Sequence, residues 1–274
     1  MSHMPAPNRR ALLRMGLGAL AGYAVGSATA PVAHSQPAPT YQSGSFRSAA
    51  RGGLQTNWAI ARPPGQTAPL RPVIALHGKG SDAATVMAGG VEQGLAEAVA
   101  AGLPPFAVVA VDGGGGYWHK RASGDDAGSM VLDELLPMLT DQGMDTSRVG
   151  FIGWSMGGYG ALLLGARLGP ARTAAICAVS PALWTSPGAA APGAFDDAAD
   201  YEANSVWGLP ALGQIPVRID CGNSDPFASA TREFIAQLPN PPAGGFSPGG
   251  HDGGFWSQQL PAEISWLAPL LVRG

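Results

Sequence analysis

Several things are scarce in this chain of 274 residues. Only 13% of them are charged, and the net charge of -3 carries no basic excess, so the electrostatic footprint of a nucleic-acid binder is missing. There are two cysteines, Cys177 and Cys221, with no metal-ligand spacing between them, which excludes a cysteine-rich zinc module or a disulfide-stapled miniature fold. No P-loop, dinucleotide fingerprint, H-E-x-x-H or obvious pair of glycosidase carboxylates stands out, so no cofactor or metal is expected. What is abundant is small or apolar: 40 glycines, 25 prolines and 46% hydrophobic residues, the balance of a globular chain rather than a disordered one.

The N-terminus reads as an address. Met1 to His3 is an expression-tag scar ahead of a natural start at Met4. Arg9-Arg10 then precede a weakly apolar stretch rich in Gly and Ala, which resembles a twin-arginine export signal over 4–35. Arg14 inside a short apolar run argues against a membrane span. Ala28-Thr29-Ala30 fits a small-x-small cleavage site but is followed by Pro31, Ala33-His34-Ser35 is an alternative, and no nearby cysteine offers a lipid anchor. Export permits a disulfide, so Cys177 and Cys221, both in apolar runs, are either buried free thiols or a bridge between neighbouring strands.

From residue 40 to 274 a single domain is expected. "PTYQSGSFRSAARGGLQTNWAIARPPG" reads as a hairpin-like region. "RPVIALHG", "FAVVAVDGG", "RVGFIGWS", "RTAAICAVSP" and "IPVRIDCGNSDPF" read as buried strands. Helical stretches are expected at 82–101, 129–142, 157–169, 229–238 and 257–272. Continuously apolar strands separated by helices predict an α/β fold, a mostly parallel sheet covered on both faces, with its strand-to-helix loops on one edge. About thirty residues, 182–214, interrupt this pattern as a lid or a pocket wall. "GGFSPGGHDGGFW" is left as a glycine-rich tail before the last helix.

One junction carries chemistry. Gly153-Trp154-Ser155-Met156-Gly157 is a G-x-S-x-G sequence between a predicted strand and a predicted helix, the setting of a nucleophile elbow. A serine hydroxyl needs a general base, and His251 alone among the well-placed histidines follows the order serine, acid, histidine. Asp225, just past the end of its strand, is the preferred acid. Asp220 lies inside the apolar run, and Asp196, Asp197 and Asp200 precede that strand. The oxyanion donors are expected to be the amides of Met156 and Lys79, with Gly78 and Gly80 as neighbours in register. His77 is read as a loop brace. Trp118, His119, Trp154 and Trp184 gather on strand-end loops, either packing beneath them or lining an apolar cleft for an acyl or aryl group.

"RVGFIGWSMGGYGALLLGARLG", "AVSPALW", "IDCGNSDPF" and "GGHDGGFWSQQLPAEISWL" resemble the esterase D branch of the α/β-hydrolases. That branch holds S-formylglutathione hydrolases, feruloyl-esterase-like enzymes and the antigen 85 mycolyltransferases. The resemblance spans roughly 71–271 and includes the His251 to Trp256 H-x-x-x-x-W pattern. It implies an α/β-hydrolase fold, a Ser155–His251–Asp225 triad, oxyanion positions at Lys79 and Met156, and hydrolysis of a small-molecule or lipid ester. His77-Gly78-Lys79 departs from the leucine-arginine loop of the mycolyltransferases, which speaks against transfer to trehalose. An export signal speaks against a cytosolic formylglutathione substrate. Composition and signal together suggest an actinobacterial cell envelope. Two other readings stand beside hydrolysis: acyl transfer to a sugar hydroxyl, and a catalytically idle surface-binding protein.

Overall fold

A computed structural model of the protein describes residues 40–273. The tag scar at 1–3 and the export signal at 4–35 lie outside the described residues. Eight strands form one sheet in the order β1-β2-β4-β3-β5-β6-β7-β8. The expected hairpin is β1 (Tyr41–Ser48) and β2 (Leu54–Ala61), and β2 also runs antiparallel to its other neighbour, β4. The remaining strands are parallel: β3 (Pro72–Leu76), β4 (Ala107–Val111), β5 (Val149–Trp154), β6 (Thr173–Val179), β7 (Val217–Gly222) and β8 (Ala243–Ser247). In β3 through β6 every residue is buried, because both faces are covered.

The covering helices divide into two layers. On one face lie α1 (Ala83–Ala88), α2 (Val91–Ala100) and the long C-terminal α8 (Gly253–Leu271), packed through Val86, Leu95, Ile264 and Leu267. The other face carries α3 (Ala127–Ser129), α4 (Leu136–Asp141) and α5 (Met156–Leu168), with Met130, Leu135, Tyr159 and Leu162 in its core. The segment 182–214 holds two 3-10 turns and α6 (Ala198–Ala203), and α7 (Ala228–Gln237) follows β7. Among the described residues no helix is long and apolar enough to cross a membrane.

The departures from the sequence expectation have local causes. The helix expected over 82–101 is two, because Gly89 and Gly90 follow α1 and Gly90 takes φ 98° to start α2. Between α3 and α4 the coil widens into a π segment, Met130–Leu135, just before Pro137. Proline there has no N–H to return and crowds the carbonyl four residues back. The glycine-rich tail contains β8, whose pairing with β7 is purely backbone and so leaves no side-chain signature. Helix α8 begins at Gly253, earlier than its apolar pattern shows, since the Asp252 carboxylate caps it by accepting from the Phe255 amide. Cys177 and Cys221 are buried free thiols; Cys177 pairs across the sheet with Arg218, not with Cys221.

Two features set the tolerance of this core. A methyl group on Gly157 would lie 1.8 Å from the Leu76 carbonyl oxygen, so the start of α5 sits directly on β3. A methyl on Gly94 would meet only the Cδ1 tip of Ile264, at 2.5 Å. Gly157→Ala is therefore expected to destabilise the protein by about 3 kcal/mol or more, since backbone must move. Gly94→Ala should change the urea midpoint little, helix propensity offsetting a rotated Ile264 tip.

Glu263 of α8 is fully buried and neither carboxyl oxygen has a hydrogen-bond partner. Burial, reinforced by nearby Asp220, pushes its pKa well above the ordinary value despite Arg218. The folded protein thus keeps a proton that the unfolded chain releases above about pH 4.3, and stability falls as pH rises beyond that point. Glu263→Gln should remove this slope, leaving the variant more stable than the parent at pH 8 by roughly 1–3 kcal/mol. Their stabilities should converge below pH 4, as read from urea melts across pH.

Candidate active site

Ser155 stands between the last residue of β5 and the first of α5, with φ 56° and ψ -117°. A non-glycine residue held there costs on the order of 1–3 kcal/mol, so its surroundings must over-determine it. They do: its amide donates to Val179 O (2.9 Å), and its carbonyl accepts from Tyr159 N (3.1 Å) and Ala182 N (3.0 Å). The turn stays tight because α5 rests on β3 at Gly157. The side chain is left at the C-terminal edge of the sheet, partly exposed.

The loops after β7 and β8 bring two partners to that edge. Ser155 Oγ–H donates to His251 Nε2 (2.9 Å), and His251 Nδ1–H donates to Asp225 Oδ2 (2.8 Å). The loops are tied to each other by Asn223 N to Ser247 O (2.8 Å) and Ser224 N to Gly249 O (3.0 Å). Burial alone would raise the Asp225 carboxyl pKa. Bonds from His251 and the Phe227 amide outweigh it and hold the group below its ordinary value. The His251 ring is flanked by Phe227 and, edge-on, by Trp256, each 5.3 Å away between centroids.

The other acids are engaged elsewhere. Asp220 binds Arg218 with both oxygens, Asp196 binds Arg121, Asp197 caps α6, and Asp200 holds the side chain of Asn204. Among the described residues one group gathers three metal-ligating side chains, Cys177, Asp220 and Glu263. Arg218 already occupies Asp220 there, and burial disfavours the ionised form of both Cys177 and Glu263, so the donor set suits a cation poorly.

A cleft of about 510 Å³ opens beside Ser155 and His251, lined chiefly by Val86, Trp154, Trp256 and Leu260, with Lys79 at its rim. Lys79 Nζ reaches Pro192 O (3.4 Å) in the 182–214 segment and lies 5.7 Å from the centre of the Tyr117 ring. Neither the Lys79 nor the Met156 amide donates to another described backbone carbonyl. Both are free to take an oxyanion, as are the amides of Gly78 and Gly80. His77 braces this loop: Nδ1–H donates to Gly78 O (2.7 Å) while Nε2 accepts from Gly113 N (2.9 Å). That pattern requires the neutral ring, and burial lowers its pKa accordingly.

The four aromatic residues expected at a cleft separate. Trp154 lines it. Trp118 and His119 do not: both are 0% exposed. Trp118 fills the space beside Gly113 and Gly160, so close that a methyl on either would strike its ring. His119 stacks on Phe195 (5.3 Å) and bonds Ala194 O (3.2 Å), fastening the 182–214 segment to the body. Trp184 belongs to the same aromatic cluster, its carbonyl bound by Tyr201 Oη and Trp207 Nε1. None of residues 182–214 lines the cleft beside Ser155. Sequence reasoning missed Val86 and Leu260; Trp256 was visible only as spacing. Val86 and Leu260 look like ordinary core positions of amphipathic helices.

The sequence profile of the family described as "Putative esterase" matches residues 53–267. No curated protein matches the chain. Among solved structures the fold is similar to that of a ferulic acid esterase, at 20% identity and a TM-score of 0.73, covering 84% of this chain and 98% of the other. An S-formylglutathione hydrolase of Staphylococcus aureus is similar at 19% identity and a TM-score of 0.69, covering 85% of this chain and all of the other. MPT51 of Mycobacterium tuberculosis follows at 18% identity and a TM-score of 0.68, again over 85% and 100%. A profile covering most of the chain, on an eight-stranded sheet of the α/β-hydrolase fold, places this chain in that esterase family.

Proposed function

We propose that the protein is an exported esterase working through an acyl-enzyme on Ser155. The observation that carries this is the unbroken hydrogen-bond chain from Ser155 Oγ through the His251 ring to Asp225. His251 Nε2 takes the hydroxyl proton as Oγ attacks the ester carbonyl carbon. The charge on the carbonyl oxygen is met by the Lys79 and Met156 amides. Collapse breaks the bond to the alcohol, which leaves with the proton now on Nε2. Water then attacks the acyl-enzyme, giving its proton to Nε2, and the carboxylic acid departs as Oγ recovers a proton. Asp225 holds the imidazole in the tautomer whose Nε2 is free to accept, and stabilises the imidazolium that forms. The apolar lining of the cleft suits a hydrocarbon or aryl group of the ester.

The substrate is a small-molecule or lipid ester, and Arg9-Arg10 with the apolar stretch behind them supports export towards the cell envelope. No cofactor enters this chemistry.

Ser155→Ala and His251→Ala should each lower kcat/KM for p-nitrophenyl esters by about 10⁴-fold or more while the protein stays folded. A fluorophosphonate should label Ser155 in the parent. A folded Ser155→Ala protein with parental activity, or a parent that resists labelling, would overturn the assignment. Replacing both Arg9 and Arg10 with Lys should trap the protein in the cytoplasm of a host with a twin-arginine system, as followed by fractionation. Undiminished export of that variant would refute the route.

A further inference from the structure

The cleft beside Ser155 has a direction. On α8 it is lined by Gly253, Trp256, Ser257 and Leu260, spaced i, i+3, i+4 and i+7, which is a single stripe of a helix. On α1 it is lined by Thr85, Val86 and Ala88, with Gly89 just beyond. Both helices leave from loops beside the nucleophile, α1 from the loop that holds Gly78 and Lys79, and α8 from the loop that holds His251. Position along each helix therefore measures distance from Ser155. Val86 and Leu260, both buried, make an apolar floor, and Trp256 is held in it by its Nε1–H, which donates to the Ser180 hydroxyl at 3.1 Å. The rims are small and exposed: Ala88 and Gly89 on one side, Gly253 and Ser257 on the other. The fold does not demand glycine at 253, because its φ lies outside the left-handed region and a Cβ there would meet nothing within 4 Å. Its smallness keeps the trough open beside His251.

The trough also has an end. Ile264, the next residue on the α8 stripe, is buried against α2, where a Cβ on Gly94 would lie 2.5 Å from Ile264 Cδ1. No hydrocarbon passes that contact. From Gly253 to Leu260 the helix rises about 10 Å, at roughly 1.5 Å per residue. An extended carbon chain advances roughly 1.2 Å per bond, as a fully extended polypeptide does over its three bonds per residue. The open length thus matches about eight bonds. The far end, at Ala88 and Leu260, presents no polar side chain to a ring hydroxyl or a head group.

We infer that the cleft is a length gauge for a linear hydrocarbon arm of about eight carbons, laid between α1 and α8 and stopped where Ile264 closes on Gly94. The inference rests on the ester-hydrolysis reading above, with Ser155 as nucleophile. A shorter arm leaves Leu260 uncovered and gains less apolar burial. A longer one must bend over the rim into water. The arm belongs either to the acid or to the alcohol of the ester, the same chemistry in both cases, and two substrate series separate them.

The test measures kcat/KM for p-nitrophenyl esters from acetyl to hexadecanoyl, and for acetates of linear alcohols from ethyl to hexadecyl, below the concentrations at which they aggregate. In one series kcat/KM should rise roughly 2- to 4-fold per methylene as burial proceeds, up to about eight carbons, and then level or fall. An optimum in the first series puts the arm on the acid; an optimum in the second puts it on the alcohol. Ala88→Trp obstructs the far end and should lower the ratio of eight-carbon to four-carbon turnover by about 10-fold or more. Ser257→Trp obstructs the trough one helical turn from its mouth and should bring the break in the profile to about five carbons. Both positions are exposed, so the urea midpoints should stay near the parent's.

Flat profiles in both series, a preference for the acetyl or ethyl member, or a rise unbroken to the hexadecyl chain would each overturn the inference. A folded Ala88→Trp protein with the parental profile would do the same, and if that variant fails to fold, Ser257→Trp decides by the same ratio. Ser155→Ala, assayed alongside, keeps two failures apart. A flat parental profile beside an inactive Ser155→Ala protein sinks the length gauge alone, whereas an active Ser155→Ala protein sinks the nucleophile assignment itself.

Discussion

The contact on which the site depends is the seat of α5 on β3, where Gly157 meets the Leu76 carbonyl with no room for a side chain. Bringing the helix this close leaves one residue to reverse the chain out of β5, and Ser155 does so with a positive φ. The strain is absorbed by bonds on both sides of the turn, from Val179, Tyr159 and Ala182. Through Val179 and Ala182 the turn is tied to β6 and its following loop. The same close approach puts Gly78 beside the nucleophile: a methyl there would lie 3.6 Å from Ser155 Cβ. Ser155 and the loop after β3 are therefore positioned by one backbone contact and not by two independent ones.

A second layer of fixation keeps those loops rigid. His77, neutral and buried, ties the loop after β3 to the loop after β4 at Gly113. Trp118 packs under the same region against α5, and its centroid lies 5.0 Å from the His77 ring. His119 and the aromatic cluster of Tyr117, Phe195 and Trp184 then clamp the 182–214 segment onto the body. Arg121 adds bonds to Gly193 O, Ala194 O and Asp196. That segment works as a clasp on the loops beneath Lys79, and the cleft itself is walled by α1 and α8 on the other side.

Strands β3 to β6 were legible as short, largely apolar runs, and β7 as a run that carries Arg218 and Asp220 between its apolar positions. The meeting of Ser155, Asp225 and His251 was legible for a topological reason: parallel strands send their following loops to one edge, so three residues distant in sequence share it. What the sequence hid was whatever depends on backbone alone or on side chains facing inward. β8 is Ala-Gly-Gly-Phe-Ser and pairs without side-chain preference. The start of α8 is disguised by Gly253 and Gly254, though Asp252 was a usable cap signal. Trp118 and His119 sit on a loop by sequence, but their rings turn under it, because Gly113 and Gly160 leave a hollow there that only the three-dimensional contact reveals.

Asp225 and Glu263 show what controls charge in this interior. Both are withdrawn from water, and withdrawal pushes each carboxyl towards its neutral form. Their outcomes are opposite. Glu263 has no hydrogen-bond donor and a negative neighbour in Asp220, so it keeps its proton. Asp225 receives an imidazole N–H and a backbone amide, and its carboxyl is held below its ordinary pKa. An exposed aspartate would be ionised without help, yet its position would drift and water would weaken its hold on the imidazolium. A buried aspartate gains rigidity and a stronger interaction, but only while its donors stay in place. What sets the charge of each buried carboxyl is thus the set of donors that the fold brings to it, two for Asp225 and none for Glu263.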